Sequence, residues 1–461
     1  MANPRQVHFV GIGGIHMSGL ARILLEDGVR VTGSDLVASA MTEGLMALGA
    51  EIDVGHDASH VTGAELVVRT VAVGDDNPEI VAARSGGIEL ISRAEMVARI
   101  AQGHRALTVA GSHGKTTTST MLAFILREAG QEPSFILGGE SPDLGTHATR
   151  GRGDLIVLEA DEYGRAFHEY EPSVAVITNL ERDHLDFYGS DEALQEAFVL
   201  YAATLVANGT LLVGGESPCA ARVAERLARD RDDIAIETFG LATAGSWTWS
   251  AADIQRSPDS LEFRVLHDDA AAGTVTLGVP GDYNVRNALA AAAVALSLGT
   301  PFDGIATALG GFRGVSRRFQ LHGEKAGVTV IDDYAHHPTE IAATIQAAHE
   351  RYPGRRLVVL FQPHTYSRSQ YLLEGFQRCF EGVDRLNLTA TYAARERPEQ
   401  GLPAIDLADR IETPKARYLG ELPAAAHAVA QAARAGDVIF TMGAGDVDAA
   451  GRLILDGLET A

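Results

Sequence analysis

Cysteine is nearly missing from this chain: only Cys219 and Cys379 occur in 461 residues, with no Cys-x-x-Cys spacing. That excludes a disulfide framework and a cysteine-built zinc site, and both are expected as small buried apolar residues. No apolar run is long enough to span a membrane. The N-terminus passes from Met1 through Arg5 straight into Val7-His8-Phe9-Val10, without the apolar core of a signal peptide, so the cytoplasm is expected. Positive charge is also scarce. Against 61 acidic residues stand 38 basic ones, a net charge of -23 that opposes nonspecific binding to nucleic acid or anionic membranes. An acidic protein that binds phosphorylated ligands must gather its cations locally, which directs attention to glycine-rich loops and isolated Lys or Arg. No internal repeat or low-complexity tract is evident.

What is present is a folding composition: 46% hydrophobic and 21% charged residues. At roughly 150 residues per domain, the length suggests about three domains. Apolar strand-like runs alternate with longer amphipathic stretches in three blocks, which predicts α/β domains on largely parallel sheets. The blocks are 1–103, 104–313 and 314–461. The first has strands at 7–10 and 29–32, joined through Gly11-Ile12-Gly13-Gly14 and a helix. Strands at 106–109, 155–158 and 174–177 and an alanine-rich helix from Asn287 to Leu298 belong to the second. The third carries strands at 328–331, 357–360 and 438–440. His267-Asp268-Asp269 with the following alanines and Gly273 is expected as a surface turn.

The strongest local signal is Gly111-Ser112-His113-Gly114-Lys115-Thr116-Thr117, between a predicted strand and a predicted helix. In such a turn, backbone N–H groups and the helix N-terminus cradle phosphate oxygens. The lysine neutralises the outer phosphates, and the threonine hydroxyl is suited to magnesium. The usual nucleotide loop has an earlier glycine where Val109 stands, so this loop is shorter. Phosphoryl transfer also needs divalent cations. Glu159, in Glu159-Ala160-Asp161-Glu162, and His184, in Asn179-Leu180-Glu181-Arg182-Asp183-His184, both follow apolar strands. In an open parallel sheet the carboxyl ends of strands meet at the ligand crevice, so both are expected near the loop.

These motifs, followed by Asn284-Val285-Arg286-Asn287, Arg317-Arg318-Phe319, Asp332-Asp333-Tyr334-Ala335-His336-His337-Pro338 and Phe361-Gln362-Pro363-His364, resemble the Mur ligases in the family's order. Gly11-Ile12-Gly13-Gly14 with Met17-Ser18-Gly19 extends the likeness to the first block. The resemblance implies a Rossmann-like N-terminal domain holding the UDP sugar, a P-loop ATPase-like central domain, and a Rossmann-like C-terminal domain for the amino acid. It also implies an activity: ATP-dependent joining of L-alanine to the carboxylate of UDP-N-acetylmuramate through an acyl phosphate, in peptidoglycan precursor synthesis. ATP and Mg2+ are the implied cofactors, and a monomer or homodimer is the expected assembly.

Residue by residue, the resemblance gives Gly111, Ser112, His113, Gly114, Lys115, Thr116 and Thr117 to the ATP phosphates. Asn284, Asn287 and Tyr334 go to the adenine, although Asn284 and Asn287 also suit caps of the alanine-rich helix. Thr116 and Glu159 would hold one magnesium, and His184 with Glu159 a second. Arg318 and Asp333 would reach ATP from the C-terminal domain, completing a catalytic set of Lys115, Glu159, His184, Arg318 and Asp333. His336, His364 and Arg368 are implied at the amino-acid end. His336-His337 is also a metal motif, but no third ligand at helical spacing follows.

In the first block, Gly13, Gly14, Ser34 and Asp35 are the implied sugar-nucleotide contacts. Gly11-x-Gly13-x-x-His16 fails the dinucleotide fingerprint at its last glycine, although Asp35 stands near the spacing of a ribose contact. UDP is preferred to NAD because the chain carries the ATP residues as well; an oxidoreductase would leave Gly111 to Thr117 unexplained. A ligase that recycles murein tripeptide and a catalytically silent nucleotide-binding partner are the remaining alternatives. Departures from the family pattern fall at His16, Thr70-Val71, Thr365 and Ala390.

Overall fold

A computed structural model describes residues 4–458. The chain divides into two compact units. One gathers the chain up to Ser250 with Leu266–Ala272 and Asn287–Ala308; the other takes Ala251–Val265, Gly273–Arg286 and the chain from Leu309 onward.

In the first unit, β1 (Gln6–Val10), β2 (Arg30–Asp35), β3 (Glu51–Val54), β4 (Leu66–Arg69) and β5 (Glu89–Ser92) form a parallel sheet in the order β3-β2-β1-β4-β5. The order reverses direction at β1, and the first glycine turn follows that strand, where open α/β sheets form their crevice. β2 runs three residues further than the apolar pattern indicates, so Ser34 and Asp35 sit in the strand's carboxyl end rather than in the turn after it.

The next strands are β6 (Arg105–Ala110), β7 (Ser134–Ile136), β8 (Ala148–Thr149), β9 (Leu155–Glu159), β10 (Val174–Ile177), β11 (Thr210–Gly214) and β12 (Ala235–Leu241). They lie in the order β12-β11-β10-β6-β9-β7-β8. β6, β9 and β10 pair in parallel, and each is buried over most or all of its length, which is why all three read as continuous apolar runs. The helix Lys115–Glu128 follows β6 and buries residues on nearly every face. Beneath the segment 162–170, Phe167 stacks on Tyr201 at 4.6 Å and meets Phe198 edge-on at 5.1 Å. All three are fully buried, each contributing about 1.5–3 kcal/mol of apolar burial to hold that segment.

Strands β13 (Trp249–Arg256), β14 (Leu261–His267) and β15 (Ala270–Leu277) follow. The predicted turn over 267–273 narrows to Asp268 and Asp269, both at positive φ, and the alanines belong to β15. The alanine-rich helix spans Asp282–Ser297, starting before Asn287. Asn284 and Asn287 are therefore inside the helix, not caps of it; Pro280-Gly281 is the stop signal that precedes it.

In the second unit, β16 (Gln320–Lys325), β17 (Val328–Asp333), β18 (Leu357–Phe361), β19 (Arg385–Leu388), β20 (Arg417–Tyr418) and β21 (Val438–Met442) are ordered β16-β17-β21-β18-β19-β20. Only the β16–β17 pairing is antiparallel. Cys379 is buried in this unit's core, as expected. Cys219 is only half-buried, packed at the margin of the first unit's core near the start of a helix and accepting a hydrogen bond from Arg222. Among the described residues, no helix is long and apolar enough to cross a membrane.

Candidate active site

The loop from β6 into the helix Lys115–Glu128 needs both of its glycines. Gly111 has φ +132°, and a Cβ there would lie 2.1 Å from Thr178 Oγ1. Gly114 has φ +82°, and a Cβ there would lie 2.5 Å from Asn287 Oδ1. The residues after β10 clamp the loop: Ser112 N donates to the Asn179 carbonyl at 3.1 Å, His113 N to Asn179 Oδ1 at 2.9 Å, and Thr178 Oγ1 to the His113 carbonyl at 2.6 Å. Lys115, Thr116 and Thr117 form the first helical turn, whose N–H groups have no acceptor within the helix.

Four of the predicted residues converge here. Lys115 Nζ lies 2.9 Å from Glu162 Oε1 and donates to the carbonyls of Gly111 and Ser112. Burial works against its ammonium, but Glu162 and Glu159 outweigh that and raise its pKa. Glu159 ends β9, accepts from Gly138 N at 2.8 Å and hydrogen-bonds Thr116. Burial pushes its carboxyl above the usual range despite Lys115. His184 Nε2 is 3.6 Å from Glu162 Oε1, with its ring against Tyr163. Glu162 thus joins Lys115 to His184, a role the motif Glu159-Ala160-Asp161-Glu162 did not disclose. Its carbonyl accepts from Tyr188, and its Oε2 is buried without a hydrogen-bond partner among the described residues. Gly138 and Thr178 escaped the sequence reading, and Asn179 was visible there only as a motif letter without its role as a clamp on the loop. Asn287 Oδ1 accepts from Thr118 Oγ1 at 3.1 Å, which sets it against the loop. Asn284, by contrast, donates to the Pro280 carbonyl at 2.7 Å in the other unit.

The first glycine turn hangs from the end of β2. Gly11 N and Ile12 N donate to the Ser34 carbonyl, and Gly13 N to Asp35 Oδ2 at 2.8 Å. Gly14 is exposed at the helix start, whereas the Ser34 side chain is fully buried and its hydroxyl points inward. His16, a departure from the family pattern, lies in the helix Ile15–Glu26. Burial, and then Arg93, lower its pKa to about 3 against the pull of Asp161. Arg93 in turn donates to Asp161 Oδ2 at 2.8 Å, two residues beyond Glu159.

In the second unit the remaining predicted residues form a chain of contacts. Asp333 ends β17, accepting from Phe319 N and Ala335 N, each at 2.8 Å; burial pushes its carboxyl up to about 6, opposed by Arg318. The guanidinium groups of Arg317 and Arg318 each lie 5.0 Å from the Tyr334 ring centre. Arg318 reaches Glu340 at 3.5 Å, and Glu340 accepts from His336 N at 3.2 Å. The His336 and His364 rings meet edge-on at 5.9 Å, and Arg368 Nη1 donates to His364 Nδ1 at 2.8 Å. Tyr392, stacked on His364 at 5.6 Å, and Tyr283, beside Asp333 and Arg318, were not singled out from the sequence.

Residues 6–105 match the catalytic domain of the Mur ligase family, 109–295 the Mur ligase middle domain, and 317–445 the Mur ligase glutamate ligase domain. A UDP-N-acetylmuramate–L-alanine ligase of Roseiflexus sp. (strain RS-1) is 42% identical, over 98% of this chain and 99% of its own. The crystal structure of a UDP-N-acetylmuramate-alanine ligase from Thermotoga maritima superposes with a TM-score of 0.82 at 29% identity, covering 98% of both chains. A murein peptide ligase from Psychrobacter arcticus gives 0.74 at 26% identity, over 99% of this chain and 100% of that one. Matched over all three of its domains, the chain belongs to the Mur ligase family.

Proposed function

We propose that this chain joins L-alanine to the carboxylate of UDP-N-acetylmuramate, converting ATP to ADP and phosphate. The geometry behind this reading is the convergence of Lys115, Thr116, Glu159, Glu162 and His184 on one phosphate loop. The substrate pair is carried by the 42% identical relative matched along nearly its full length.

A carboxylate is a poor electrophile until one oxygen becomes a leaving group. The substrate carboxylate oxygen attacks the γ-phosphorus of ATP, and the bond to the β-phosphate oxygen breaks. The amine of L-alanine then attacks the acyl phosphate; the tetrahedral intermediate expels phosphate and the ammonium proton is lost. Lys115 leaves its carbonyl and carboxylate partners to meet the outer phosphates, assisted by the first-turn N–H groups. Arg318 offsets charge on the transferring phosphoryl group, Asp333 fixes the Phe319 and Ala335 backbone beside it, and Tyr334 borders the adenine with Asn284 and Asn287. His336, His364 and Arg368 receive the carboxylate of the incoming amino acid, while Gly13, Gly14, Ser34 and Asp35 order the sugar-nucleotide end.

Magnesium fits the residues present. The Thr116 hydroxyl, the buried Glu159 carboxylate and the unpartnered Glu162 Oε2 are hard oxygen donors beside the phosphate loop, with His184 adjacent. Thr116, Glu159 and His184 would hold the ions. Once bound, they neutralise triphosphate charge.

The domains are assigned to residues 1–103, 104–313 and 314–461. The product belongs to peptidoglycan precursor synthesis, and through it to cell-wall biogenesis, cell shape, cell cycle and cell division, in the cytoplasm, with a monomer or homodimer as the working assembly. Phosphate release from ATP, magnesium and UDP-N-acetylmuramate tests the reading, with L-alanine, glycine, L-serine or murein tripeptide added singly. Release requiring both the sugar nucleotide and L-alanine is expected. A response to tripeptide alone would assign the chain to murein recycling, and silence with every amine would leave a nucleotide-binding protein without ligase activity.

A further inference from the structure

Glu79 has no place in the reaction above, yet it is fully buried. Four side chains from three separate segments surround its carboxylate. Ser34 Oγ donates to Oε2 at 2.6 Å, and His60 Nδ1 lies 2.7 Å from Oε1. His56 Nδ1 stands 3.2 Å from Oε2 and 3.0 Å from Ser34 Oγ, while His8 Nε2 comes to 3.7 Å. The other nitrogen of His8 meets Thr32 Oγ1 at 2.9 Å, closing the cluster onto β2. Burial pushes this carboxyl up, but the nearby His8 ring and hydrogen bonds with Ser34 and His60 outweigh it and hold it down to about 2. An ionised carboxylate so deep is costly unless its lone pairs are used, and here they are used by neighbours that it fixes in return.

The neighbour that matters is Ser34. Its hydroxyl is tied to Glu79, while its own backbone carbonyl receives the N–H groups of Gly11 at 2.9 Å and Ile12 at 3.0 Å. The next residue, Asp35, receives Gly13 N. Three consecutive amides of the glycine turn are thus suspended from two residues of β2, and the first of those is anchored from behind. We propose that Glu79 is a positioning residue: by locking Ser34 it sets the direction of the Gly11 to Gly13 backbone, and so the geometry that the diphosphate of the sugar nucleotide meets. The inference rests on the reading that this turn receives UDP-N-acetylmuramate. A small rotation of Ser34 would carry its carbonyl away from both amides, turning N–H groups of the turn out of register for a phosphate.

Calorimetric titration of the full chain with UDP, and separately with ATP, tests this in wild type, Glu79→Gln and Ser34→Ala. Both variants are expected to lose about tenfold or more in UDP affinity, the effect of losing a charge-assisted hydrogen bond. ATP affinity should stay at the wild-type value, and in Glu79→Gln the KM for UDP-N-acetylmuramate should rise while kcat at saturation holds. Unchanged UDP affinity in folded variants overturns the inference, as does a parallel loss of UDP and ATP affinity, which would mark Glu79 as a general structural support. Should Glu79→Gln fail to fold, Ser34→Ala removes one hydroxyl and carries the same comparison. Wild-type protein that binds no UDP would overturn the sugar-nucleotide reading itself and this inference with it, an outcome distinct from wild-type binding that the substitutions leave untouched.

Discussion

Lys115 Nζ lies 2.9 Å from Glu162 Oε1, so the ammonium expected on the outer phosphates is held beside the phosphate loop by a carboxylate that is only 2% exposed. Lys115→Ala is expected to abolish ligation and leave UDP-sugar affinity nearly intact, because the first glycine turn does not depend on Lys115. It should also lower stability by about 3–5 kcal/mol, since Glu162 would remain buried without its cation. Urea unfolding and calorimetry read the two effects separately; collapse of UDP-sugar binding in folded protein would refute the assignment of the two ligands to separate domains.

Glu159 and Thr116 share a hydrogen bond at the end of β9. Glu159→Ala should raise the magnesium concentration needed for half-maximal turnover by about tenfold or more. A magnesium titration superimposable on the wild-type curve would remove Glu159 from the ligand set.

For Gly114 two costs coincide, a φ of +82° and a Cβ position 2.5 Å from Asn287 Oδ1. Gly114→Ala should destabilise by about 1–3 kcal/mol and weaken ATP binding. Adding Asn287→Ala removes the collision but not the backbone strain, so the double variant should recover stability only in part. Full recovery would mean that the left-handed conformation costs nothing there.

Two buried carboxyls give opposite pH signatures. Asp333 sits at about 6, above its ordinary 3.8, so the folded state favours the protonated form. Stability from this group is greatest below about pH 4, declines as pH rises towards 6 and is level beyond, a span of roughly 3 kcal/mol at most. The stability difference between Asp333→Asn and wild type, followed by urea unfolding, should shift in the variant's favour across that interval. No shift would show the carboxyl titrating normally.

Glu79 has the reverse sign. Held at about 2 against an ordinary 4.5, it contributes fully above about pH 4.5 and loses that contribution as the pH falls towards 2. Thermal melts of Glu79→Gln should show a shallower loss of stability over this acid range than wild type. Parallel curves would contradict an ionised Glu79.

Local patterns were legible where one residue type decides the outcome. The runs forming β1, β6, β9 and β10 are buried on both faces, so apolarity alone marks them, and the second glycine loop stands out between its strand and helix. The start of the helix at Asp282 was missed because the alanine run dominates the composition, although Pro280-Gly281 and an acidic first turn were the physical signals. Alanine has little strand preference, so nothing local put Ala270, Ala271 and Ala272 in β15. Glu162 was visible as a motif letter, but its pairing with Lys115 and His184 needs the crossing of β6, β9 and β10. The Glu79 cluster was hidden altogether, because His8, Ser34, His56, His60 and Glu79 meet only once the strand order β3-β2-β1-β4 is known.

The contact between Asn287 and Gly114 also imposes a timetable. A growing polypeptide leaves the ribosome with the loop long before the amide that sits against it, and the segment Asn287–Ala308 that completes this unit emerges later still. The strands flanking the loop can pair as soon as β10 is out, but the brace behind Gly114 must wait for a much later stretch of translation. The full surroundings of the loop are therefore assembled late in the birth of each molecule, and a truncated nascent chain ending before Asp282 carries the complete loop motif without the partner that fills the space beside it.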